Sequence, residues 1–329
     1  MKKAVENYVP IGYYTVERGF IMSYNVKRKS ALDVIIRILL IALVAVAVIF
    51  AVKVVFSAAK TAPVAAAATE DKSVIGEFQA GTYGGIKMDT AEDAVKYYVE
   101  AYNKTKAETA EFNTPEGKQT WSAFIGDEDL KINSVIIDGN ENKTINSMVP
   151  GIVGGIFHAG TSALPPTAGK VQKDDVDEKG NSLVTSSLTA DDVLAVVVED
   201  NGDGTITMKI QPKMAEMSHK GQDSQGRFFN TLGGIDSVVN SIKPLTWSEG
   251  TTADNCKVHY KNGTGVVKID TKTGMIVEAD YDMEVTVDVS HANVAVLRDK
   301  SAVVSITYKN HFPASDEYLA KHGEISRVK

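Results

Sequence analysis

The sequence predicts an α+β protein: a single N-terminal transmembrane helix, then an extracytoplasmic domain with a long, curved, mainly antiparallel β-sheet covered by helices on one face. Three observations predict it. From Met275 to Val289, the residues Met275, Val277, Ala279, Tyr281, Met283, Val285, Val287 and Val289 alternate with Ile276, Glu278, Asp280, Asp282, Glu284, Thr286 and Asp288. A period of two marks a strand with one dry and one wet face. Thr90 and Asp93 have the spacing of a capping box, and Val95, Tyr98, Val99 and Tyr102 follow at helical spacing. Leu32 to Phe56 is apolar except for Asp33, Arg37 and Lys53. About 20 helical residues cross a hydrocarbon core of about 30 Å, so this run is long enough to span.

The membrane segment also sets an orientation. Lys27, Arg28 and Lys29 precede it, whereas TAPVAAAATED follows Lys60, so the positive-inside rule puts the N-terminal side in the cytoplasm and the rest outside. The organisation expected is a cytoplasmic tail over 1–31 with Met22 as an alternative start, a signal-anchor helix over 32–58, a flexible tether over 59–89 and a domain over 90–329. Cleavage after small residues near Ser57 or Ala65 would instead release a secreted form. An apolar stretch longer than a usual signal-peptide core favours the anchor.

Along the domain, the pattern predicts a helical part over 90–160, a loop over 161–181 and a sheet part over 182–312. The first helix runs from Thr90 to about Glu111, a short helix lies near Pro115–Phe124 and a strand spans Lys131–Asp138. Ile145–Phe157 reads as an apolar helix or loop, and Ala163–Gly180 as a turn-rich loop. Residues 194–210 form a hairpin turning at Asp200-Asn201-Gly202-Asp203-Gly204, and residues 265–280 form another turning at Thr271–Gly274. Gly234–Lys243 reads as a short helix, and the alternation of Ala302, Val304, Ile306 and Tyr308 supplies an antiparallel neighbour for the long strand.

Composition narrows the chemistry. The net charge of −7 divides into +6 over residues 1–60, from nine Lys/Arg and three Asp/Glu, and −13 over the remainder. A domain that acidic is repelled by phosphate backbones, so no nucleic-acid partner is expected. With Cys256 as its one cysteine, the chain forms no internal disulfide and no thiolate zinc site. Cys256 shares a strand face with Val258 and Tyr260 and reads as a small buried hydrophobe. The six histidines lack H-x-x-x-H or H-E-x-x-H spacing, and no G-x-S-x-G elbow occurs, so neither a metal nor a cofactor is expected. The acidic row Glu278, Asp280, Asp282, Glu284 and Asp288 reads as a solvated face, with Lys268 and Lys309 as cross-strand partners.

One stripe carries the functional expectation. Ile145, Met148, Val149, Ile152, Ile156 and Phe157 are apolar at helical spacing, yet Pro150, Gly151, Gly154 and Gly155 make a poor rigid helix. Laid over the strand face at Tyr281 and Met283, such a segment would make a loosely held cover for a lipid or other apolar ligand. The expected outline is similar to that of bacterial periplasmic or surface lipid carriers, which is a likeness of architecture alone. The expectation is therefore a membrane-anchored, non-catalytic binding protein. Its rivals are an envelope structural or interaction protein using the acidic sheet face, and an enzyme whose site is assembled from dispersed residues.

Overall fold

A computed structural model describes residues 72–141, 185–218, 221–229, 245–294, 297–323 and 325–328. The chain is mostly antiparallel β-sheet with a few helices. In order, the elements are β1 (Gly81–Tyr83), β2 (Ile86–Met88), α1 (Ala91–Ala107), β3 (Thr109–Thr114), β4 (Gly117–Ser122), β5 (Asp127–Ile137) and β6 (Asn140–Glu141). After a 3-10 turn at Ala190–Asp192 come β7 (Val193–Asp200), β8 (Thr205–Pro212), β9 (Ala215–Glu216), α2 (Ser224–Phe228), β10 (Leu245–Trp247) and α3 (Thr252–Asn255). The chain continues through β11 (Cys256–Tyr260), β12 (Thr264–Asp270), β13 (Met275–Val294), β14 (Leu297–Phe312), α4 (Asp316–Gly323) and β15 (Ser326–Arg327).

β13 is the axis of the large sheet. One of its edges pairs with β14 from Ala279↔Phe312 to Val294↔Leu297. The other edge is shared among three shorter strands, β12 opposite Met275–Asp282, β11 opposite Val285–Val289 and β10 opposite Ala292–Val294. Beyond β14 lie β5 and β6, beyond β12 lie β8 and β7, and β9 pairs with β11. β11 and β12 thus behave as one strand kinked at residues 261–263, where Asn262 takes a left-handed φ of 60°. The two expected hairpins are present, and Cys256, Val258 and Tyr260 are buried together.

α1 lies across the inner face of this sheet. Thr90 accepts from the Asp93 N–H while the Asp93 carboxylate accepts from the Thr90 N–H, so the capping box forms and fixes the first turn. Ala94, Val95, Tyr98, Ala101 and Tyr102 bury their side chains, and the Tyr98 and Tyr281 hydroxyls meet at 3.1 Å. From α2, Phe228 closes the group, its ring centroid 5.7 Å from Tyr281 and 5.8 Å from Tyr98. These rings require bare backbone opposite them. A Cβ on Gly265 would stand 2.6 Å from Phe228 Cζ and 2.9 Å from the Tyr281 ring. A smaller sheet, β15-β3-β4, packs with α4 around a second core of Phe112, Ile125, Ala314, Leu319 and Ile325.

Several expectations need correction. The short helix near Pro115–Phe124 is instead β4 of a hairpin with β3. Ala110 and Phe112 alternate with exposed neighbours, and Gly117 at φ 108° makes the tight turn, so the local period is two rather than 3.6. In the part read as helical over 90–160 the expected strand at Lys131–Asp138 is present as β5, and with β3 and β4 also strands, that part holds a single long helix within the described residues. Residues 72–88, at the end of the stretch read as a tether, fold onto the domain. The Val74 N–H donates to buried Gln211 Oε1 at 2.7 Å, β1 and β2 form a hairpin, and Met88 is buried.

Val277, expected in the core, is 43% exposed, whereas Ile276 is 2% exposed. The register passes from Lys268↔Glu278 to Ile269↔Ile276, so Val277 is the extra residue of a bulge and the strand changes face there. Further register shifts lie on β5, where Asn133 is the extra residue opposite Ser305 and Ile306, and near Ala292 on β13, and each bends its strand. The segments Ile145–Phe157, Ala163–Gly180 and Gly234–Lys243, and the apolar run 32–56, lie outside the described residues. Among the described residues no helix is long and apolar enough to cross a membrane.

The bulge separates two adjacent residues. Ile276→Asp should prevent folding, because an unpaired carboxylate would enter the core at several kcal/mol, whereas Val277→Asp should shift stability by less than about 1 kcal/mol. Denaturant unfolding of the two variants checks this, and equal penalties would remove the bulge. Gly265→Ala should lower stability by roughly 1–3 kcal/mol, since the methyl group forces the Phe228 and Tyr281 rings apart.

Candidate functional site

The inner face contains the two described residues of the expected apolar site. Tyr281 and Met283 both point into the core, at 1% and 5% exposure. Burial raises the Tyr281 phenol far above its ordinary value, and burial with the neighbouring Tyr281 does the same for Tyr98, so both stay protonated. Around them Tyr98, Tyr102, Phe228 and Phe229 make successive ring contacts of 4.8–6.1 Å. At Tyr281 the sheet is therefore covered by aromatic side chains from α1 and α2. The other expected site residues, Ile145, Met148, Val149, Ile152, Ile156 and Phe157, lie outside the described residues.

A polar group at the edge of this core was not foreseen from sequence. Glu128 sits opposite Asn310 on β14, between Asp127 and Asp129, which fall on the other face. The Tyr308 and Tyr318 phenols lie beside its carboxylate, and burial first, then that negative charge, raises both. In the sequence Glu128 is one of three consecutive acids. Only its phase with Ile132 on β5 distinguishes it.

The outer face carries the acidic row, interleaved with lysine and histidine side chains from neighbouring strands. Asp282 pairs with Lys309 at 2.9 Å, and this contact raises the Lys309 ammonium. Asp280 meets His311 Nδ1 at 2.7 Å. His259 bridges two strands, with Nε2 3.0 Å from Asp288 and Nδ1 3.3 Å from Glu216. Lys268 departs from expectation, because its ammonium reaches Asp203 in the β7–β8 turn at 3.4 Å rather than the acidic row. Glu278 and Glu284 have no ion-pair partner among the described residues. Among the described residues Val74, in the segment before β1, and Val277, on β13, are the exposed large apolar side chains.

The arrangement nearest to a catalytic group lies where β10, β13 and β14 meet. Ser248 Oγ donates to Asp299 Oδ1 at 2.7 Å, and His291 Nδ1 stands 2.8 Å from the same oxygen. A nucleophile needs the imidazole between hydroxyl and carboxylate, so that the ring receives the hydroxyl proton. Here the carboxylate stands in the middle, and the geometry instead ties two left-handed residues, His291 at φ 50° and Asp299 at φ 52°, into the bulged strand ends. Sequence gives no sign of this contact, which depends on the register shifts near Ala292. Among the described residues no group of three or more His, Cys, Asp or Glu side chains is placed to hold a metal ion.

The domain's turn and cap carboxylates give it an acid limit. Hydrogen bonds from turn hydroxyls and backbone N–H groups lower Asp93, Asp200, Asp203, Asp254, Asp270 and Asp299 below the ordinary 3.8. A lowered folded-state value means that the stability they add is complete above the unfolded value and is lost as pH falls through the folded ones. Acid unfolding attributable to them should therefore begin only below about pH 4, and Asp270→Asn should reduce its amplitude, as followed by circular dichroism. Unfolding that begins well above that pH would place the acid sensitivity in other groups. Compared with known protein families, curated proteins and solved structures, the chain matches none of them.

Proposed function

We propose that this chain is a membrane-anchored, extracytoplasmic and non-catalytic binding module, held by the helix read at 32–58, whose working surface is the outer face of the large sheet. The observation that carries this reading is the outer row of β13. Its middle carboxylates, Asp280 and Asp282, are matched by His311 and Lys309, while exposed Glu278 and Glu284 on either side are unmatched among the described residues. Six residues of strand put those two about 20 Å apart, a span suited to a partner presenting spaced lysines or arginines.

A second reading keeps the apolar ligand, such as a lipid, on the inner face. It is favoured by one observation: α1 and α2 gather round Tyr281, whereas the apolar inner face runs on beyond them through Val287, Val289, Val258 and Val304, which are buried as well. Native mass spectrometry of the full chain separates the two readings, since a co-purifying lipid supports the second.

For the first reading, the full chain in detergent should bind an immobilised lysine-rich peptide. The double variant E278K/E284K should weaken that binding about tenfold, equivalent to ~1.4 kcal/mol. The control E92K/E100K, on the exposed side of α1, should change it much less. Equal losses in both variants would mean that only net charge matters and would remove the sheet face from the proposal. Protease added outside intact cells should remove the chain beyond about residue 60, and protection of that part would overturn the orientation.

A further inference from the structure

Four Asx-Gly pairs lie within the described residues: Asp138-Gly139, Asn201-Gly202, Asp203-Gly204 and Asn262-Gly263. Such pairs are chemically labile, because a glycine N–H without a flanking side chain can reach the preceding side-chain carbonyl. Three of the four are tied down. Asp138 holds Lys300 Nζ at 2.7 Å and the Ser301 N–H at 3.1 Å. The Asn201 amide donates to Thr205 and Thr207 hydroxyls at 2.9 and 3.1 Å, while the Gly202 N–H is engaged by Asp200 at 2.8 Å. Asp203 accepts from the Thr205 N–H at 2.9 Å and pairs with Lys268.

Asn262 differs from all three. It is exposed, as Asn201 and Asp203 are, and left-handed at φ 60°, as Asp138 is at 47°, but neither its amide nor the Gly263 N–H makes a hydrogen bond to a described residue. We infer that Asn262 is a deamidation site, converted to aspartate and isoaspartate while the protein stays folded. The Gly263 nitrogen gives up its proton and bonds to Asn262 Cγ. The side-chain nitrogen leaves as ammonia, closing a succinimide, and water then opens either ring carbonyl. No other reactant is needed. Both products add a negative charge, and the isoaspartate route also adds one backbone carbon to the kink where pairing with β13 passes from Tyr260↔Val285 to Thr264↔Asp282.

The test incubates the full chain in detergent at mildly alkaline pH and follows each Asn-Gly peptide by mass spectrometry, with isoaspartate detected by enzymatic methylation. In the folded protein Asn262 should convert several-fold faster than Asn201, and in guanidinium-unfolded chain the two should convert at similar rates. N262Q should abolish the early acidic charge variant. Conversion of Asn262 no faster than Asn201 in the folded protein overturns the inference. So does an equal preference for Asn262 in the unfolded chain, which would place the cause in local sequence rather than in the fold.

Discussion

The two hydrogen-bonding edges of Met275–Val294 constrain nearly everything else in the domain. A strand has only two edges, and β13 commits one of them to β14 and divides the other among β12, β11 and β10. Every partner must therefore agree with one register. A slip of one residue would carry Asp280, Asp282 and Glu284 into the core, at several kcal/mol for each carboxylate left ionised and unpaired. The bulge at Val277 is compatible with this because it reverses the faces only beyond Glu278, at the end nearest the β12–β13 turn.

That register positions the aromatic centre. Because β12 is fixed against β13, Gly265 faces Tyr281, and the missing side chain lets Phe228 enter between strand and helix. Tyr98 then finds the Tyr281 hydroxyl, which matters because a phenol buried without a partner is destabilising. Two further contacts lock α1 and the N-terminal segment to the same frame. Lys104 donates to the Thr273 carbonyl in the β12–β13 turn, and the buried Gln211 side chain receives the Val74 N–H. Sheet, helix and incoming chain are thus aligned by a few directional contacts around a dry aromatic group.

How much of this was legible depended on whether the signal was local. The period of two in Met275–Val289, the Thr90–Asp93 box and the Asn/Asp/Gly turns each state their structure within a few residues; the long strand and both hairpins form as read, and α1 starts at its box but ends at Ala107 rather than near Glu111, which lies in β3. Thr109–Ser122 failed because its two strands are short and only half buried, so Ala110 and Phe112 on one and Trp121 on the other were too few to separate a strand from a helix. Val277 failed because a bulge is set by the partner strand, here between Lys268 and Ile269, and leaves no mark on the alternating strand itself. Register alone points Lys268 at the acidic row, yet a long side chain reaches along the sheet as readily as across it, and its ammonium meets Asp203. Of the expected apolar site, only Tyr281 and Met283 fall within the described residues, and both are core.

The proposed role in contact rests on how polarity is distributed over the two faces. Glu128 enters the edge of the interior but is set beside two phenols that burial keeps protonated, and on the surface exposed Asp299 receives both Ser248 and His291 on one oxygen. Neither arrangement leaves a base aligned on a nucleophile. On the outer face, cross-strand pairing between Asp282 and Lys309 or Asp280 and His311 satisfies the centre of the acidic row, which is how a wet sheet avoids unwanted association. Glu278 and Glu284, on either side of Asp280 and Asp282, are different. The bulge that turns Val277 outward sets an exposed apolar side chain next to Glu278, the unmatched carboxylate at that end. An apolar contact beside a charge is the combination by which a surface both anchors and orients a partner, and here it is produced by the same register shift that keeps Ile276 in the core.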